Sequence, residues 1–498
     1  MEMLDTLKDI VGSENVIDDP EILLKYSKDQ SFVRPCRPDL VLYVKNVQEI
    51  QKVVAIANEY QMPIIPFSSG MNLHGGTIPD QGGIILNLSK MNTIEEIKKP
   101  ERWVVIEPGV TYAQLCDELE KHDLRVMIPL GTPPSRSVIS SIMDGEPSIA
   151  AANFEYGNSL YMDMEMVLPT GEIYRLGNWM ALVDGKWGMP GGGGIFGLNE
   201  AHPFLWQGAQ GTLGIITKLV VKTEHLSKIR KVFFISFHKL EDAIESIRRI
   251  QRRAIGLECF LLNKFNLAAI GARDWTVPDT FPCERVSSTD FEGLRTILPK
   301  WTLIISIASL PYFPEEKVAY EEADLIDVCE ELNVIPDNTV GNVEGLGEIM
   351  AHEILRPWGI LKKTHYRGSF HTIAFYTTLD RLPEFERLIY SLAEKYGYIN
   401  RDIGGYVLPI EQGRCCYFEF DFHCDLSDPR ESSMVKDLWL EANRACSNIG
   451  GVLAKPYGPC AEIVYRRMDP TYVEKLRMFK KEMDPHNIMN PGKLCFQG

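Results

Sequence analysis

Pro66-Phe-Ser-Ser-Gly-Met-Asn-Leu-His-Gly-Gly76 is the stretch on which the reading of this chain turns. It follows an apolar run, Met62 to Ile65, that predicts a short buried strand. Small residues and glycines then dominate, as required where a backbone curls closely around a ligand. Successive N–H groups in such a turn converge into an anion-binding nest, for which a pyrophosphate is a fitting guest. No Lys or Arg lies between Met62 and Ser89, so the main chain would do most of the holding.

The flanks extend this pattern. Pro38 to Val44 reads as a strand. Asn46 to Tyr60 reads as an amphipathic helix, with Asn46 as its cap and Glu49 in the capping-box position. Gly82 to Asn92 gives a second strand region, and Trp103-Val-Val-Ile-Glu-Pro-Gly-Val110 a third that ends in a Pro-Gly turn. A helix is predicted from Thr111 or Tyr112 to about Lys121.

Together these words resemble the flavoprotein family of vanillyl-alcohol oxidase and p-cresol methylhydroxylase. Besides the loop, the resemblance rests on Val104-Val-Ile-Glu-Pro-Gly-Val110, on Tyr156-Gly-Asn-Ser159 leading into Met164-Glu-Met-Val-Leu-Pro-Thr-Gly-Glu-Ile173, and on Trp206-Gln-Gly-Ala-Gln-Gly-Thr-Leu-Gly-Ile-Ile-Thr-Lys218. Asp484-Pro-His-Asn-Ile-Met-Asn-Pro-Gly-Lys493 closes the series. The resemblance implies an α+β fold with a two-subdomain PCMH-type FAD-binding domain and an antiparallel-sheet cap over the flavin. The boundaries expected are 1–227 for the FAD-binding domain, 228–454 for the cap and 455–498 for a return to the first domain. Met180 to His202, with glycines at 191–194, reads as a long insertion.

The resemblance further implies FAD as cofactor, with its pyrophosphate on Ser68, Ser69, Gly70, Met71 and Asn72. Gly214, Ile215 and Ile216 would pass beside the dinucleotide, and Asn490 and Lys493 would approach the flavin side. Family loops carry an Arg and more glycine where this chain has Phe67, Ser68 and Ser69. Several relatives attach flavin through a histidine of this loop, where Met71 stands here. His74, His365 and His371 are the candidates for a covalent link.

The reaction implied is oxidation of an alcohol, or of a benzylic carbon in a phenolic compound, by hydride transfer to flavin N5. Two clusters could serve it. Tyr465-Arg466 resembles a pair that holds a phenolate in vanillyl-alcohol oxidase; the plain alternative is a surface arginine bridging to Glu462 or Asp469. The second cluster is Arg414, Tyr417, Glu419, Asp421 and His423. On a strand, Tyr417, Glu419, Asp421 and His423 share one face and Phe418, Phe420 and Phe422 the other. The polar face is either solvated or a pocket wall. Relatives acting on lactate or glycolate often carry His-x-Gly-Asp-Gly-x-x-His in this region. Phe-Glu-Phe-Asp-Phe-His-Cys-Asp stands here instead, which favours an alcohol or aromatic substrate. Rival readings are a 2-hydroxy-acid dehydrogenase, a non-redox flavoenzyme, and a flavin-binding subunit of a larger redox complex.

Composition agrees with a large soluble enzyme of 498 residues, 45% of them hydrophobic. No apolar run approaches the ~18 residues of a membrane span. The net charge of −16 argues against a nucleic-acid partner. Eleven cysteines without a Cys-x-x-Cys pair or a recognisable signal peptide point to reduced thiols in a cytoplasm, and to neither a metal nor an iron–sulfur centre. Electrons would therefore leave to oxygen or to a separate acceptor protein. A homodimer is left open.

Overall fold

The computed structural model of the chain describes residues 2–70, 73–152, 160–180, 182–183, 186–187, 206–309 and 311–496. The Tyr156 motif, Met71, Asn72 and the glycines 191–194 lie outside them.

The chain first builds a small sheet in which Leu40–Tyr43, Ile84–Asn87 and Ile64–Phe67 run parallel, with Val16–Ile17 antiparallel at one edge. The helix Val47–Tyr60 buries Ile50, Val53, Val54 and Ala57, one face at helical spacing. The Asn46 side chain accepts from the Glu49 N–H at 2.9 Å and starts that helix. Gln61, at φ 51°, stops it and turns the chain into Ile64–Phe67. The glycine-bearing loop therefore leaves the carboxyl end of a buried parallel strand, where open α/β sheets place their ligands. The C-terminal return completes this sheet: the Ile64 N–H donates to Ile488 O at 2.7 Å, and the Asn490 N–H donates to Ile64 O at 2.9 Å.

A second sheet is antiparallel, ordered Ile94–Lys98, Trp103–Ile106, Ile215–His225, Tyr161–Val167, Ile173–Leu176, with Leu124–Val126 also paired to Ile215–His225. The helix Tyr112–Glu120 starts at a Thr111–Gln114 capping box.

The third sheet has seven strands, ordered Arg230–Phe237, Trp301–Ala308, Glu258–Asn263, Gly404–Ile410, Cys415–Cys424, Ser369–Thr377, Val452–Leu453, with all its pairings antiparallel. Phe418, Phe420 and Phe422 enter a core shared with residues of the helices Leu240–Arg252, Pro314–Leu332, Leu382–Lys395 and Pro429–Asn448. Tyr406 and Tyr417 pack on the opposite side with residues of Lys264–Gly271 and Leu346–Leu355. The sheet is thus covered on both faces.

Two central strands escape the sequence pattern. Glu258–Asn263 and Gly404–Ile410 are buried throughout and show no alternation. Gly404 and Gly405 begin the second of them, and a Cβ at Gly405 would lie 2.8 Å from the Trp301 ring, so the close approach of that ring requires glycine there.

Candidate active site

An open cleft runs along the glycine-bearing loop. Ser68, Ser69, Gly70, Gly76 and Thr77 form one wall, and Gln210, Gly211, Gly214 and Ile216 another. Ile139, Met143, Met166 and Leu213 line it with apolar surface. The loop is pinned from behind. The Gly75 N–H donates to Asp29 Oδ2 at 2.7 Å, and Lys493 Nζ donates to Ile78 O at 2.6 Å. Asn490 Nδ2 donates to Gly76 O at 3.0 Å and to Gln210 O at 2.7 Å, joining two walls of the cleft.

These walls fit a dinucleotide. Among the described residues, the N–H groups of Ser68, Ser69, Gly70, Gly76 and Thr77 are taken up by no protein acceptor, as a phosphate cradle requires. At Gly214 a Cβ would come within 2.9 Å of Val167 O, so only glycine allows this close passage beside the strand. Of the residues expected to hold the cofactor, Ser68, Ser69, Gly70, Gly214 and Ile216 line the cleft. Ile215 instead turns into the core behind it. Asn490 and Lys493 hold the loop backbone and do not line the cleft.

Tyr457 belongs to this cleft and also to a second, narrow cavity. That cavity is walled by Phe32, His74, Phe370, His371, Trp439 and Lys455, among others. Phe32 stacks on the His371 ring at 3.9 Å between centroids, and His74 lies 5.3 Å from Tyr457. Burial drives both imidazoles down to about 3, so they are neutral. His371 Nε2 stands 3.2 Å from Ser369 Oγ and 3.3 Å from Cys424 Sγ. Of the three histidines considered for a flavin link, His74 and His371 face this cavity. His365 lies apart, with its ring nitrogens against Glu284 O at 3.0 Å and Thr276 O at 3.1 Å.

A chain of charges joins the two spaces. The Tyr457 hydroxyl donates to Asp144 Oδ1, and the Arg136 guanidinium pairs with Asp144 Oδ2. Arg136 also stands 3.6 Å from Glu146, which pairs with Lys455 at 2.7 Å. Burial alone would raise Glu146, but Lys455 and Arg136 outweigh it and bring it down to about 2.

The cap strand Cys415–Cys424 carries a further charged network beside these spaces, although none of its residues lines either of them. Its polar face is not solvated: Tyr417, Asp421 and His423 are buried. Lys363 Nζ pairs with Asp421 Oδ2 at 2.6 Å and stands 4.0 Å from Glu419, while Thr372 Oγ1 donates to Asp421 Oδ1 at 2.9 Å. The Tyr417 hydroxyl donates to Glu419 Oε2 at 2.7 Å. Burial and the neighbouring Asp421 push Glu419 up, against the opposing fields of Lys455 and Lys363. Glu419 still keeps 14% of its side chain exposed.

None of the five residues expected to carry chemistry lines either space, and of them Glu419 alone faces the lysines of the charged network, Lys363 and Lys455. Tyr465 ends the helix Pro459–Tyr465 and lines neither space. Arg466 is 77% exposed and pairs with Glu462 one helical turn back, the surface alternative. Arg414 is 75% exposed and pairs with Glu411 in a turn at 3.3 Å. His423 is buried against Phe265, with ring centroids 4.5 Å apart, and lines neither cavity. The sequence signal that misleads is adjacency: Tyr-Arg reads as a binding pair, whereas the cation that reaches the cavity is Lys455, alone in a proline-flanked turn. Arg136, Glu146 and the Lys362-Lys363 pair likewise carry no motif.

Neither His423 ring nitrogen has a hydrogen-bond partner, and burial brings the ring down to about 3. An imidazole held neutral binds no proton in the folded state between about 3 and the ordinary value of 6.5, whereas the unfolded chain does. Its contribution to stability is therefore lost as pH falls below 6.5. His423→Leu is expected to be stabilising by ~1 kcal/mol at neutral pH, because the orphaned polar atoms go. The gain should widen by ~2 kcal/mol at pH 5. Urea denaturation at the two pH values checks it, and equal midpoint shifts would contradict it.

Comparison with known proteins agrees with these walls. A family model described as an FAD binding domain matches residues 38–177, and one for the C-terminal domain of FAD linked oxidases matches residues 375–494. The chain is 29% identical to the glycolate oxidase subunit GlcD of Bacillus subtilis (strain 168) over 253 residues, which is 50% of each chain. It therefore matches about half the length of that relative. It is 26% identical to a Danio rerio protein named "Probable D-lactate dehydrogenase, mitochondrial", over 99% of this chain and 91% of that one. The solved structure of p-cresol methylhydroxylase with substrate bound superposes with a TM-score of 0.79 at 19% identity, covering 99% of this chain and 96% of the other. No helix among the described residues is long and apolar enough to cross a membrane.

Proposed function

Because this chain belongs to the FAD-linked oxidases with a PCMH-type FAD-binding fold, we propose that it is an FAD-dependent oxidoreductase acting on an uncharged alcohol or phenolic, benzylic small molecule. We place the FAD-binding domain at 1–227 with the return at 455–498, and the cap at 228–454.

The observation that carries the substrate reading is the pairing of the site's cations. Arg136, Lys363 and Lys455 each have a carboxylate partner, so among the described residues the site keeps no cation in reserve for a substrate carboxylate. The second cavity meanwhile offers aromatic walls and neutral imidazoles, which suit an uncharged ring.

In this reading Ser68, Ser69, Gly70, Gly76 and Thr77 hold the pyrophosphate of FAD by their N–H groups, and Gly214 and Ile216 lie along it. Bound there, FAD supplies the hydride-accepting chemistry. The substrate ring enters between Phe32, Trp439, Phe370 and Tyr457. Glu419, raised by its surroundings, takes the hydroxyl proton at Oε1, while the Tyr417 hydroxyl fixes Oε2. Lys363 keeps Asp421 ionised and so keeps Glu419 the more basic carboxylate. Electrons then pass to oxygen or to a separate acceptor protein.

A 2-hydroxy-acid dehydrogenase is the second reading, favoured by similarity over nearly the whole length of the Danio rerio protein. The test is turnover by the yellow holoenzyme with an artificial electron acceptor. Benzylic and phenolic alcohols should be oxidised at least tenfold more efficiently than D-lactate or glycolate. The reverse order would replace this reading with the second.

A further inference from the structure

We propose that Glu146 is a specificity-determining residue: by neutralising Lys455 at the wall of the second cavity, it shuts the site to carboxylate-bearing substrates and leaves it open to uncharged ones. This deepens the reading above and rests on it.

Lys455 projects from the return segment after the last cap strand and lines the second cavity beside His74, His371 and Tyr457. Taken alone, a buried ammonium beside two neutral imidazoles is an anion site, and any substrate carboxylate entering this cavity would be drawn to it. Glu146 removes that attraction. It reaches Lys455 from the FAD-binding side at 2.7 Å, with only 15% of its side chain exposed.

The arrangement is held in place by its neighbours. Arg136, itself buried and fixed by Asp144, stands 3.6 Å from Glu146 and keeps it ionised. Burial would lower Lys455, but Glu146, and then Glu419, hold it protonated. Both members are therefore charged, and their sum at the cavity wall is zero. A substrate carboxylate would have to compete with Glu146 for the Lys455 ammonium and be buried beside a like charge, which is costly in a desolvated site. An uncharged hydroxyl compound carries no such penalty.

The pair also marks a contrast within the site. Lys363 is tied to Asp421 within the cap, whereas Lys455, at the start of the return segment, is tied to Glu146 of the FAD-binding part. Exchange of Glu146 alone would thus convert the charge of the cavity without touching the cap strand.

The test uses two ligands that differ by one group: benzyl alcohol, and mandelate, which adds a carboxylate to the same carbon. Their dissociation constants for the holoenzyme are measured by calorimetry, without turnover, for the natural protein, Glu146→Gln, and Glu411→Gln as an exposed charge control. Glu146→Gln should raise the affinity for mandelate relative to benzyl alcohol at least tenfold, and Glu411→Gln should leave the ratio unchanged. Glu146→Asp keeps the charge but draws it back by one methylene, and should move the ratio part of the way even if Glu146→Gln folds poorly. Adding Lys455→Met to Glu146→Gln should abolish the gain.

A natural protein that prefers benzyl alcohol, with the ratio unmoved by Glu146→Gln or Glu146→Asp, overturns the role of Glu146 alone. A natural protein that already prefers mandelate overturns the uncharged-substrate reading beneath it. Binding of neither ligand to any of these proteins overturns the assignment of the cavity.

Discussion

Glu258→Ala is expected to destabilise the protein by ~3–5 kcal/mol, the cost of leaving buried charge without its partner. Glu258 lies in a central cap strand with no exposed surface and accepts from two arginines. Arg125 Nη2 reaches Oε1 at 2.6 Å from the second sheet of the FAD-binding part, and Arg230 Nη1 reaches Oε2 at 2.5 Å from the neighbouring cap region. Alanine removes one negative charge and strands two positive ones in a space without water. Arg125 Nε and Arg230 Nη2 already lack partners, so the guanidinium groups have little else to turn to. Burial acts to raise Glu258, but the two arginines prevail and its pKa is lowered. A lowered carboxylate contributes stability that is present above its unfolded value and lost as pH falls through the folded one. The difference between Glu258→Ala and the natural protein should therefore be full at pH 7 and shrink in acid. Denaturant unfolding across pH checks both size and direction. Replacing Arg125 and Arg230 by Met in the same background should recover most of the loss, because a triad exchanged for apolar residues can be neutral. A difference below ~1 kcal/mol at pH 7 would mean that the triad contributes no more than an exposed pair.

What could be read from the chain beforehand was governed by how local its cause is. The Pro66–Gly76 loop is legible because its chemistry is main-chain: small residues in series are needed wherever N–H groups must converge, whatever the rest of the fold does. The alternation of Tyr417, Glu419, Asp421 and His423 against Phe418, Phe420 and Phe422 is equally local, and the structure keeps the two faces as read. Whether the polar face meets water was not legible, since the helices that cover it come from residues 264–271 and 346–355, far along the chain. The cations of the site were still less so. Lys455 and Arg136 stand singly in irregular segments and Lys363 follows Lys362 in a 3-10 helix, where a charged residue is ordinarily solvated, and only long-range folding brings Lys455 and Lys363 to their carboxylates. Arg466 shows the converse. Its i,i+4 partner Glu462 was visible in the sequence and marks a solvent-facing helix side. The adjacent tyrosine lent it the look of a binding pair.

Glu419→Gln should lower kcat by ~10²–10⁴, the range lost with a positioned proton acceptor. The carboxylate suits that task by its surroundings. Burial and Asp421 raise its pKa, against the opposing fields of Lys455 and Lys363. Tyr417 occupies Oε2, so Oε1 is the atom presented to substrate. The pH profile separates this role from a merely structural one. In the natural protein kcat should climb as pH rises through the raised pKa of Glu419, because the ionised form is the acceptor. In Glu419→Gln that limb should vanish, leaving a low, flat rate. Gln keeps the shape of the side chain and can still accept from Tyr417, so FAD content and thermal midpoint should change little. Lys363→Met gives the complementary result. With the ammonium gone, Asp421 and Glu419 compete for protons more strongly, and the limb should move to higher pH while KM stays nearly constant. A Glu419→Gln protein that retains both the rate and the limb would place the proton acceptor elsewhere in the cavity and leave Glu419 as a partner of Tyr417 alone.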